Sequence, residues 1–309
     1  MTFQPDLTLD EARSIIDRAL AKARELKQAG AFVIVDAGGN LVSASRIGEG
    51  PPSAVWISRA KAYVSAVQRA PSTRAATSWG ERAAIFSSMQ RLMREEIFPG
   101  PGAMPIRKDG RVVGALSTGG GVGPWTEVPG IDASQLMVDG KPANVEDLVI
   151  AHALQIGYEN QHPQVERSVG PRWEERSDGL PHSLASARAL ADRAIAAARA
   201  KGNRISVAVV DEGGQLMQMD RMDGAQPMGP DLAEAKAVTA LNWQRPTLDL
   251  GKTFPMDRAN EIREIIHFKV LMGGGGVPVT QDGMVVGAVG VHGGGGDLSD
   301  EFARAAVGA

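Results

Sequence analysis

The heptapeptide VDAGGNL at residues 35–41 occurs again as VDEGGQL at residues 210–216, and both lie between short apolar runs. An aspartate followed by two glycines between apolar, β-branched segments is typical of a tight turn, so each copy predicts a β-hairpin. The strands of the first hairpin are predicted at 31–35 and 41–46. Because the two heptapeptides are 175 residues apart, we asked whether the whole chain is repeated.

The repeat extends well beyond this hairpin. Residues 9–71 align without a gap with residues 184–246 at an offset of 175, and residues 109–115 match residues 282–288 at an offset of 173. Chance does not produce such a match, so the chain contains two copies of one domain that diverged after duplication.

The differences between the copies predict the domain limits. We place the first repeat at 1–160, a polar linker rich in proline and glycine at 161–181, and the second repeat at 182–309. The first repeat contains an insertion at 122–143, after its terminal glycine run, that the second repeat lacks.

Each repeat is predicted to fold as helix, hairpin, helices, hairpin and closing helix. The predicted helices are 9–29 (capped at Thr8), 55–69, 79–96, 145–158 and 299–307, and the second hairpin has strands at 105–108 and 111–117. Adjacent hairpins favour an antiparallel sheet, and amphipathic helices must cover its faces. The predicted class is therefore α/β.

Composition excludes several functions. The 309 residues carry a formal charge of -3 without a basic run, and only 5% are aromatic, which argues against nucleic-acid binding. No cysteine is present, so thiolate chemistry and disulfides are absent. No apolar run approaches the roughly 20 residues of a membrane span, and residues 1–11 do not resemble a signal peptide. We therefore expect a cytoplasmic protein without membrane contact.

The combined pattern resembles the GlcG/HbpS family, which includes the C-terminal domain of PduO-type proteins. The residues that carry the resemblance are VDxGGxL, a strand ending in Arg46 or Arg221, a helix with AKA, the pattern P[IV]xxDGxVVGA and a terminal glycine run. The resemblance implies a tandem pair of α/β/α sandwich domains, each with an antiparallel sheet of about five strands. It also implies homo-oligomers, haem binding in some members and a link to small-acid catabolism in others. A tandem chain resembles a covalent family dimer, so we expect a pseudo-dimer.

Glycine-rich loops are the first candidate ligand site. Residues 273–276 and their counterpart at 98–105 precede a strand, and the runs 119–121 and 293–296 follow one. Successive N–H groups without side chains can form a nest for a carboxylate or phosphate, although such loops also serve as tight crossovers. The candidate ligand-binding glycines are Gly120, Gly274, Gly275 and Gly294.

Cations retained in both copies are the second candidate. Arg46 and Arg221 end a strand, and Lys61 and Lys236 lie on the following helix, so an arginine and a lysine could together hold an anion. Arg107 is a further candidate clamp. For the lysines, an ion pair that locks helix to sheet explains the pattern equally well. Asp36 and Asp211 are expected to accept backbone hydrogen bonds in the hairpin turns.

Candidate acid–base groups differ between the copies. His292 lies in the terminal glycine run of the second repeat, where the first has Gly119, and could act as an acid, a base or a haem ligand. The insertion offers Trp125 as a pocket roof and Glu127 or Asp132 as a carboxylate. The five histidines lack metal-binding spacing, so no metal is predicted.

Two functions remain open on this evidence. The first is a protein that binds a small anion, a carboxylate or haem, at glycine loops between the repeats, with one competent site per chain. The second is a cofactor-independent isomerase, lyase or hydrolase of small-acid catabolism that uses His292, Glu127 or Lys236 to move a proton. The sequence contains no nucleotide-binding motif, so the cofactor stays unknown, with haem a candidate.

Overall fold

The computed structural model describes residues 5–47, 50–74, 83–93, 95–98, 100–120, 127–161, 183–255 and 269–308. The chain forms two compact units: Asp6–Glu175, and Met1–Pro5 with Arg176–Ala309. The first unit contains the first repeat and the second unit contains the second repeat. The limits predicted for the repeats and the linker remain predictions.

The first unit alternates helices with antiparallel hairpins. Its elements are α1 (Leu9–Glu25), β1 (Ala31–Asp36), β2 (Leu41–Arg46), α2 (Ala54–Gln68), α3 (Ala83–Leu92), β3 (Ala103–Lys108), β4 (Arg111–Gly119), a 3₁₀ turn (Ala133–Leu136), β5 (Met137–Val138), β6 (Lys141–Pro142) and α4 (Val145–Leu154). Its main sheet has the order β3-β4-β1-β2, and every neighbouring pair is antiparallel.

The second unit repeats this order. Its elements are α5 (Leu184–Ala200), β7 (Ser206–Asp211), β8 (Leu216–Arg221), α6 (Gly229–Trp243), α7 (Thr247–Thr253), β9 (Gly276–Gln281), β10 (Met284–His292) and α8 (Gly296–Val307). The strands run β9-β10-β7-β8, again antiparallel throughout. The predicted class, an antiparallel sheet with helices in each of two tandem domains, is confirmed.

Helices cover the sheet in each unit because the inner strands are apolar at successive positions. Five consecutive residues of β1, Ala31 to Val35, are buried, which requires cover on both faces. In the first unit α1 packs with α4, and both also contact the strands, while α2 lies along β4 and β1. In the second unit α5 packs with α8, and α6 lies along β10 and β7.

The hairpin turns and the first cap follow the sequence closely. Thr8 and Glu11 form the predicted capping box at the start of α1. Asp36 accepts from the backbone N–H groups of Gly38 and Asn40 at 2.9 and 3.0 Å, and Asp211 makes the equivalent bonds to residues 213 and 215. The prediction that these aspartates build the turns is confirmed.

Some element limits differ from prediction. Helix α1 ends at Glu25 rather than at residue 29, because Lys27 adopts a left-handed φ of 51° and turns the chain. Helix α4 ends at Leu154 rather than at residue 158, where Gln155 is left-handed in the same way, with a φ of 55°. Each unit's main sheet has four strands within the described residues, against the expected figure of about five. In the described residues no helix is long and apolar enough to span a membrane.

Candidate functional site

A buried lysine lies at the same end of the sheet in both repeats, and its surroundings differ. In the first repeat, Lys61 of α2 donates from Nζ to Oε1 of Glu146 at 3.1 Å, and both side chains are only 5% exposed. The hydroxyl of Thr118, near the end of β4, donates to the same carboxylate oxygen at 3.0 Å. The charge of Lys61 is therefore balanced inside the protein, as a buried charge requires.

This ion pair depends on a glycine. Gly102 has a φ of +100°, and a Cβ atom added to it would lie 2.5 Å from both Lys61 Nζ and Glu146 Oε1. The pair therefore fills the space that a side chain at residue 102 would occupy. Only glycine adopts this φ freely while leaving that space open.

In the second repeat, Lys236 of α6 is the counterpart of Lys61, but a serine takes the place of the glutamate. The closing helices correspond because Arg18 donates to the carbonyl of Ala153 and Arg193 donates to the carbonyl of Ala306 in the same way. This correspondence sets Ser299 opposite Glu146.

Gly275 confirms the correspondence. It is the counterpart of Gly102, and a Cβ on it would lie 2.9 Å from the Cβ of Ser299 and 3.1 Å from Lys236 Nζ. Ser299 itself donates to the carbonyl of Gly293 at 2.8 Å. The serine therefore occupies the glutamate's place without supplying its charge.

Lys236 is held by neutral oxygens. Its Nζ donates to the carbonyls of Gly274 at 2.7 Å and Val291 at 3.0 Å. Burial lowers the pKa of Lys236 from 10.5 to about 8, while the negative charge of Asp300 acts in the opposite direction. The glycine loop therefore turns carbonyl groups toward a cation at this point.

Three further differences between the repeats lie beside Lys236. Ser206, Gly229 and His292 replace an alanine, an alanine and a glycine of the first repeat: Ala31, Ala54 and Gly119. Ser206 and His292 are direct cross-strand partners on β7 and β10, so their side chains lie on one face of the sheet. Gly229, at the start of α6, lets the backbone pack closely over Ser206, because a Cβ on it would overlap the Ser206 hydroxyl; that Cβ would lie 4.0 Å from the imidazole.

Two polar atoms in this cluster are buried without a hydrogen-bond partner: Ser206 Oγ and His292 Nδ1. The other ring nitrogen of His292, Nε2, lies 3.1 Å from Oε1 of the exposed Gln226. With the amide of Gln226 placed so that its oxygen faces the ring, Nε2 donates to it and the lone pair lies on the buried Nδ1. Burial and the charge of Lys236 lower the pKa of His292, so its ring is neutral at pH 7. We call Ser206, Lys236, His292 and Ser299 the Lys236 cluster.

Both repeats match the sequence model of one family, described as "Haem degrading protein HbpS-like", over residues 7–125 and 183–308. The chain belongs to the HbpS-like family. It is 34% identical to the GlcG protein of Escherichia coli K12 over 87 residues, a match that covers 28% of this chain and 63% of GlcG. An uncharacterized 15.0 kDa protein of Citrobacter freundii is 33% identical over 119 residues, which cover 36% of this chain and 80% of that protein.

Among solved structures, a double mutant of HbpS from Streptomyces reticuli is 36% identical to this chain, with a TM-score of 0.39. That match covers 47% of this chain and 97% of HbpS.

The structure brings some predicted site residues of the two HbpS-like repeats together. Lys236, His292, Gly274 and Gly275 meet in the second repeat, and Lys61 lies at the corresponding place in the first. Gly294 is exposed, in the loop before α8. Gly120, at the equivalent glycine run, packs against Ala54, where a Cβ would overlap that residue.

Of the three arginines predicted as anion clamps, Arg221 of β8 is the direct cross-strand partner of Ser206, so the two side chains lie on the same face of the sheet. Arg46 is buried and donates to the carbonyl of Gly50 at 3.0 Å, whereas Arg221 is half-buried. Arg107 donates to the carbonyls of Arg69 and Gly110, at the far end of β3 from Gly102. Five residues of strand separate the two positions by about 16 Å. Arg107 instead lines an apolar groove of about 610 Å³ in the first unit.

The insertion does not supply the expected carboxylate to a described pocket. Asp132 is exposed and caps the 3₁₀ turn by accepting from the N–H of Ser134 at 2.8 Å, and this bond lowers its pKa. Glu127 is half-buried near the start of the described part of the insertion. Trp125 lies outside the described residues. Within the insertion, β5 and β6 form a short antiparallel hairpin joined by Asp139 and Gly140.

Sequence reasoning missed Glu146, Ser299, Ser206, Gly229 and Gln226. The signal for the first two was present but indirect. Glu146 and Ser299 correspond at an offset of 153, because the insertion precedes α4 and shifts the register after residue 143. Ser206 and Gly229 each differ by one non-hydrogen atom from the alanine at the equivalent position. The sequence alone does not show that these small differences lie next to His292.

Proposed function

We propose that this HbpS-like tandem protein binds a small carboxylate at the Lys236 cluster of its second repeat. The observation that carries the proposal is the exchange of Glu146 for Ser299 beside an otherwise equivalent buried lysine. A buried ammonium is stable when an anion neutralises it, and Glu146 does this in the first repeat. In the second repeat, a ligand carboxylate would take the glutamate's role.

The neighbouring groups suit such a ligand. An ammonium has three N–H donors, two of which bond the carbonyls of Gly274 and Val291. The Ser206 hydroxyl can donate to the ligand, and the inward lone pair of His292 Nδ1 can accept from one of its hydroxyl or amine groups. A small ligand with an acidic group and a second polar group would thus satisfy atoms that the protein leaves unpaired.

The family description mentions haem, and the Lys236 cluster does not fit that group. Nδ1 of His292 is buried and Nε2 is hydrogen-bonded to Gln226. The described neighbours of the ring include Ser206, Gly229, Gln226 and Lys236, whereas a macrocycle needs broad apolar walls and an open axial nitrogen. We therefore assign no haem ligand at His292.

Calorimetry with acetate, propionate and lactate tests the proposal. The wild-type chain should bind at least one of them at a single site. Lys236→Met should weaken binding roughly 10- to 150-fold, the loss expected for a charge-assisted hydrogen bond of about 1.5–3 kcal/mol. Arg107→Met, in the first unit, is the matched control and should leave the affinity unchanged. Equal affinity in wild type and Lys236→Met would refute the proposal.

A hemin titration separates the two ligand classes. If hemin produces a Soret band, the band should be the same in wild type and His292→Ala. A band that disappears in His292→Ala would instead make His292 a haem ligand. Assembly into homo-oligomers, a role in catabolism and anion clamping by Arg46 or Arg221 stay predictions.

The alternative of an enzyme has one observation in its favour. Nδ1 of His292 is buried without a hydrogen-bond partner, and the ring lies close enough to Lys236 for the lysine charge to lower its pKa. A neutral imidazole in that position can accept a proton from a bound acid. A role of Glu127 in moving a proton stays a prediction.

A further inference from the structure

The Lys236 cluster has the parts needed to hold a carbonyl compound covalently. We propose that the carboxylate bound there also carries an aldehyde or ketone group, and that Lys236 forms an imine with that carbonyl. This inference rests on the proposed function, because the carboxylate brings the carbonyl carbon to the amine. It adds the chemical class of the ligand and the bond that it makes.

The argument begins with the two lysines. An amine attacks a carbonyl only through its neutral form, so a lysine locked as an ammonium is unreactive. Lys61 is locked in this way by Glu146, which also accepts from Thr118. Lys236 occupies the same helix position with only carbonyl oxygens as partners. Its lowered pKa of about 8 agrees with this geometry, because a measurable fraction is neutral near physiological pH.

The second part is a proton carrier. In imine formation the amine nitrogen must lose protons, and the carbonyl oxygen must gain them before it leaves as water. His292 Nδ1 is an unprotonated, buried acceptor beside the lysine, and Gln226 holds the ring in that tautomer. The Ser206 hydroxyl, its cross-strand partner, can donate to the carbonyl oxygen.

The step balances without any oxidant or reductant. The neutral Nζ attacks the carbonyl carbon, a C–N bond forms, and the C=O electron pair moves to oxygen. His292 accepts one proton from the nitrogen and passes it to this oxygen, which becomes a hydroxyl group, and then carries the second nitrogen proton to that hydroxyl group. The C–O bond then breaks, water leaves, and a C=N bond joins Lys236 to the ligand.

The third part is the close approach of two glycines to these side chains. A Cβ on Gly229 would overlap the Ser206 hydroxyl, and a Cβ on Gly275 would lie 3.1 Å from Lys236 Nζ. In the first repeat, Ala54 stands in place of Gly229, and Glu146 lies beside Gly102, the counterpart of Gly275. The two repeats thus differ at the serine, at the histidine and at the carboxylate beside the lysine, while the lysine and its neighbouring glycine are kept.

Reductive trapping tests the inference with an internal control. The full chain is incubated near pH 8 with pyruvate and sodium cyanoborohydride, which reduces an imine to a stable secondary amine. Peptide mapping by mass spectrometry should then find the adduct on Lys236 at least tenfold more than on Lys61. Acetone, which has the carbonyl but not the carboxylate, should label Lys236 at least tenfold less than pyruvate does.

Two variants sharpen the result. Ser299→Glu recreates the pair of the first repeat and should abolish labelling of Lys236. Ser299→Gln introduces a side chain of about the size of glutamate but without its charge, and should keep the labelling of Lys236. If Ser299→Glu does not fold, the labelling of Lys236 compared with that of Lys61 in the wild-type chain still tests the inference. Labelling of Lys236 that does not exceed that of Lys61 and the exposed lysines would overturn the inference.

The same experiment distinguishes this inference from the proposed function. If calorimetry detects acetate or propionate binding that depends on Lys236, but pyruvate leaves no adduct there, the site binds carboxylates and the imine is refuted. If neither binding nor adduct is found, both fail. An adduct that excess acetate suppresses supports both.

Discussion

In the first repeat a glutamate neutralises the charge of the buried lysine, whereas in the second repeat the equivalent lysine donates to carbonyl oxygens. Both lysines lie on the helix after the first hairpin, next to a glycine with positive φ: Gly102 or Gly275. The same scaffold thus serves two purposes. Where the charge is paired internally, it links two helices to the end of the sheet. In the second repeat the described residues hydrogen-bond no carboxylate to the lysine, and we propose that an external anion binds there.

The largest expected effect follows from breaking the internal pair. Glu146→Ala leaves Lys61 buried without its carboxylate and should lower the free energy of unfolding of the first unit by about 3–5 kcal/mol. Ser299→Ala removes only one hydroxyl, so it should cost the second unit about 1 kcal/mol. Hydrogen exchange in urea, resolved by peptide, measures each unit separately. Equal costs in both units would contradict the comparison.

The second effect is a pH dependence specific to the second unit. The pKa of Lys236 is about 8 in the folded chain and 10.5 when unfolded. Between these values the unfolded state binds more protons, so stability should rise with pH from about 8 to 10.5. The gain is at most about 3 kcal/mol, and it is absent below pH 8, where both states are protonated.

This gain is measured as a difference. Urea denaturation of the wild-type chain is compared with that of Lys236→Met across the same pH range, so that the titration of all other groups cancels. The wild-type chain should gain stability relative to the variant as pH rises. A constant difference would mean that Lys236 titrates normally in the folded protein.

The third effect concerns the glycine that admits the ion pair. Gly102→Ala places a methyl group against Lys61 Nζ and Glu146 Oε1 at a φ of +100°, and should cost about 2–3 kcal/mol. Gly110→Ala is the matched control, since it has a φ of +76° but no atom within 4 Å of the added Cβ. It should cost only about 1 kcal/mol in backbone strain. If thermal unfolding shows the same loss of stability for both variants, the steric argument is refuted.

The smallest effect concerns the hairpin turns, where the two repeats are alike. Asp36 and Asp211 each accept two backbone hydrogen bonds at nearly identical distances. Asp36→Ala and Asp211→Ala should therefore each cost about 1–2 kcal/mol and agree within about 0.5 kcal/mol. Chemical denaturation of the two variants provides the values. A clear difference would show that the turns have diverged as the lysine sites have.

Much of each repeat follows from local sequence, and the errors have local causes. The hairpins are predictable because the aspartate and glycines dictate the turn, and the capping box fixes where α1 begins. The ends of α1 and α4 were wrong by four residues because Lys27 and Gln155 are good helix formers that adopt left-handed φ values here. The spatial arrangement expected for the repeats, a pseudo-dimer, stays a prediction.

The candidate site was predictable only in part. Lys236, His292 and the loop glycines were identified from their retention or asymmetry between the copies. Arg107 is a cation like Lys236, but it lies at the end of β3 that is far from Gly102. Residue type alone does not reveal this position. The sequence did not decide whether Lys61 binds a ligand or pairs with an internal acid. Its partner, Glu146, is 85 residues away along the chain, so no local pattern connects the two.

The sequence by itself determined the duplication, the antiparallel α/β class and the turns, because these depend on neighbouring residues and on a pattern repeated along one chain. Only the tertiary structure decided which lysine is neutralised. That outcome depends on a helix brought back across the end of the sheet, where Glu146 reaches Lys61 and Ser299 does not supply a charge to Lys236. Burial then sets the energy of each charge, and burial is a property of the folded chain.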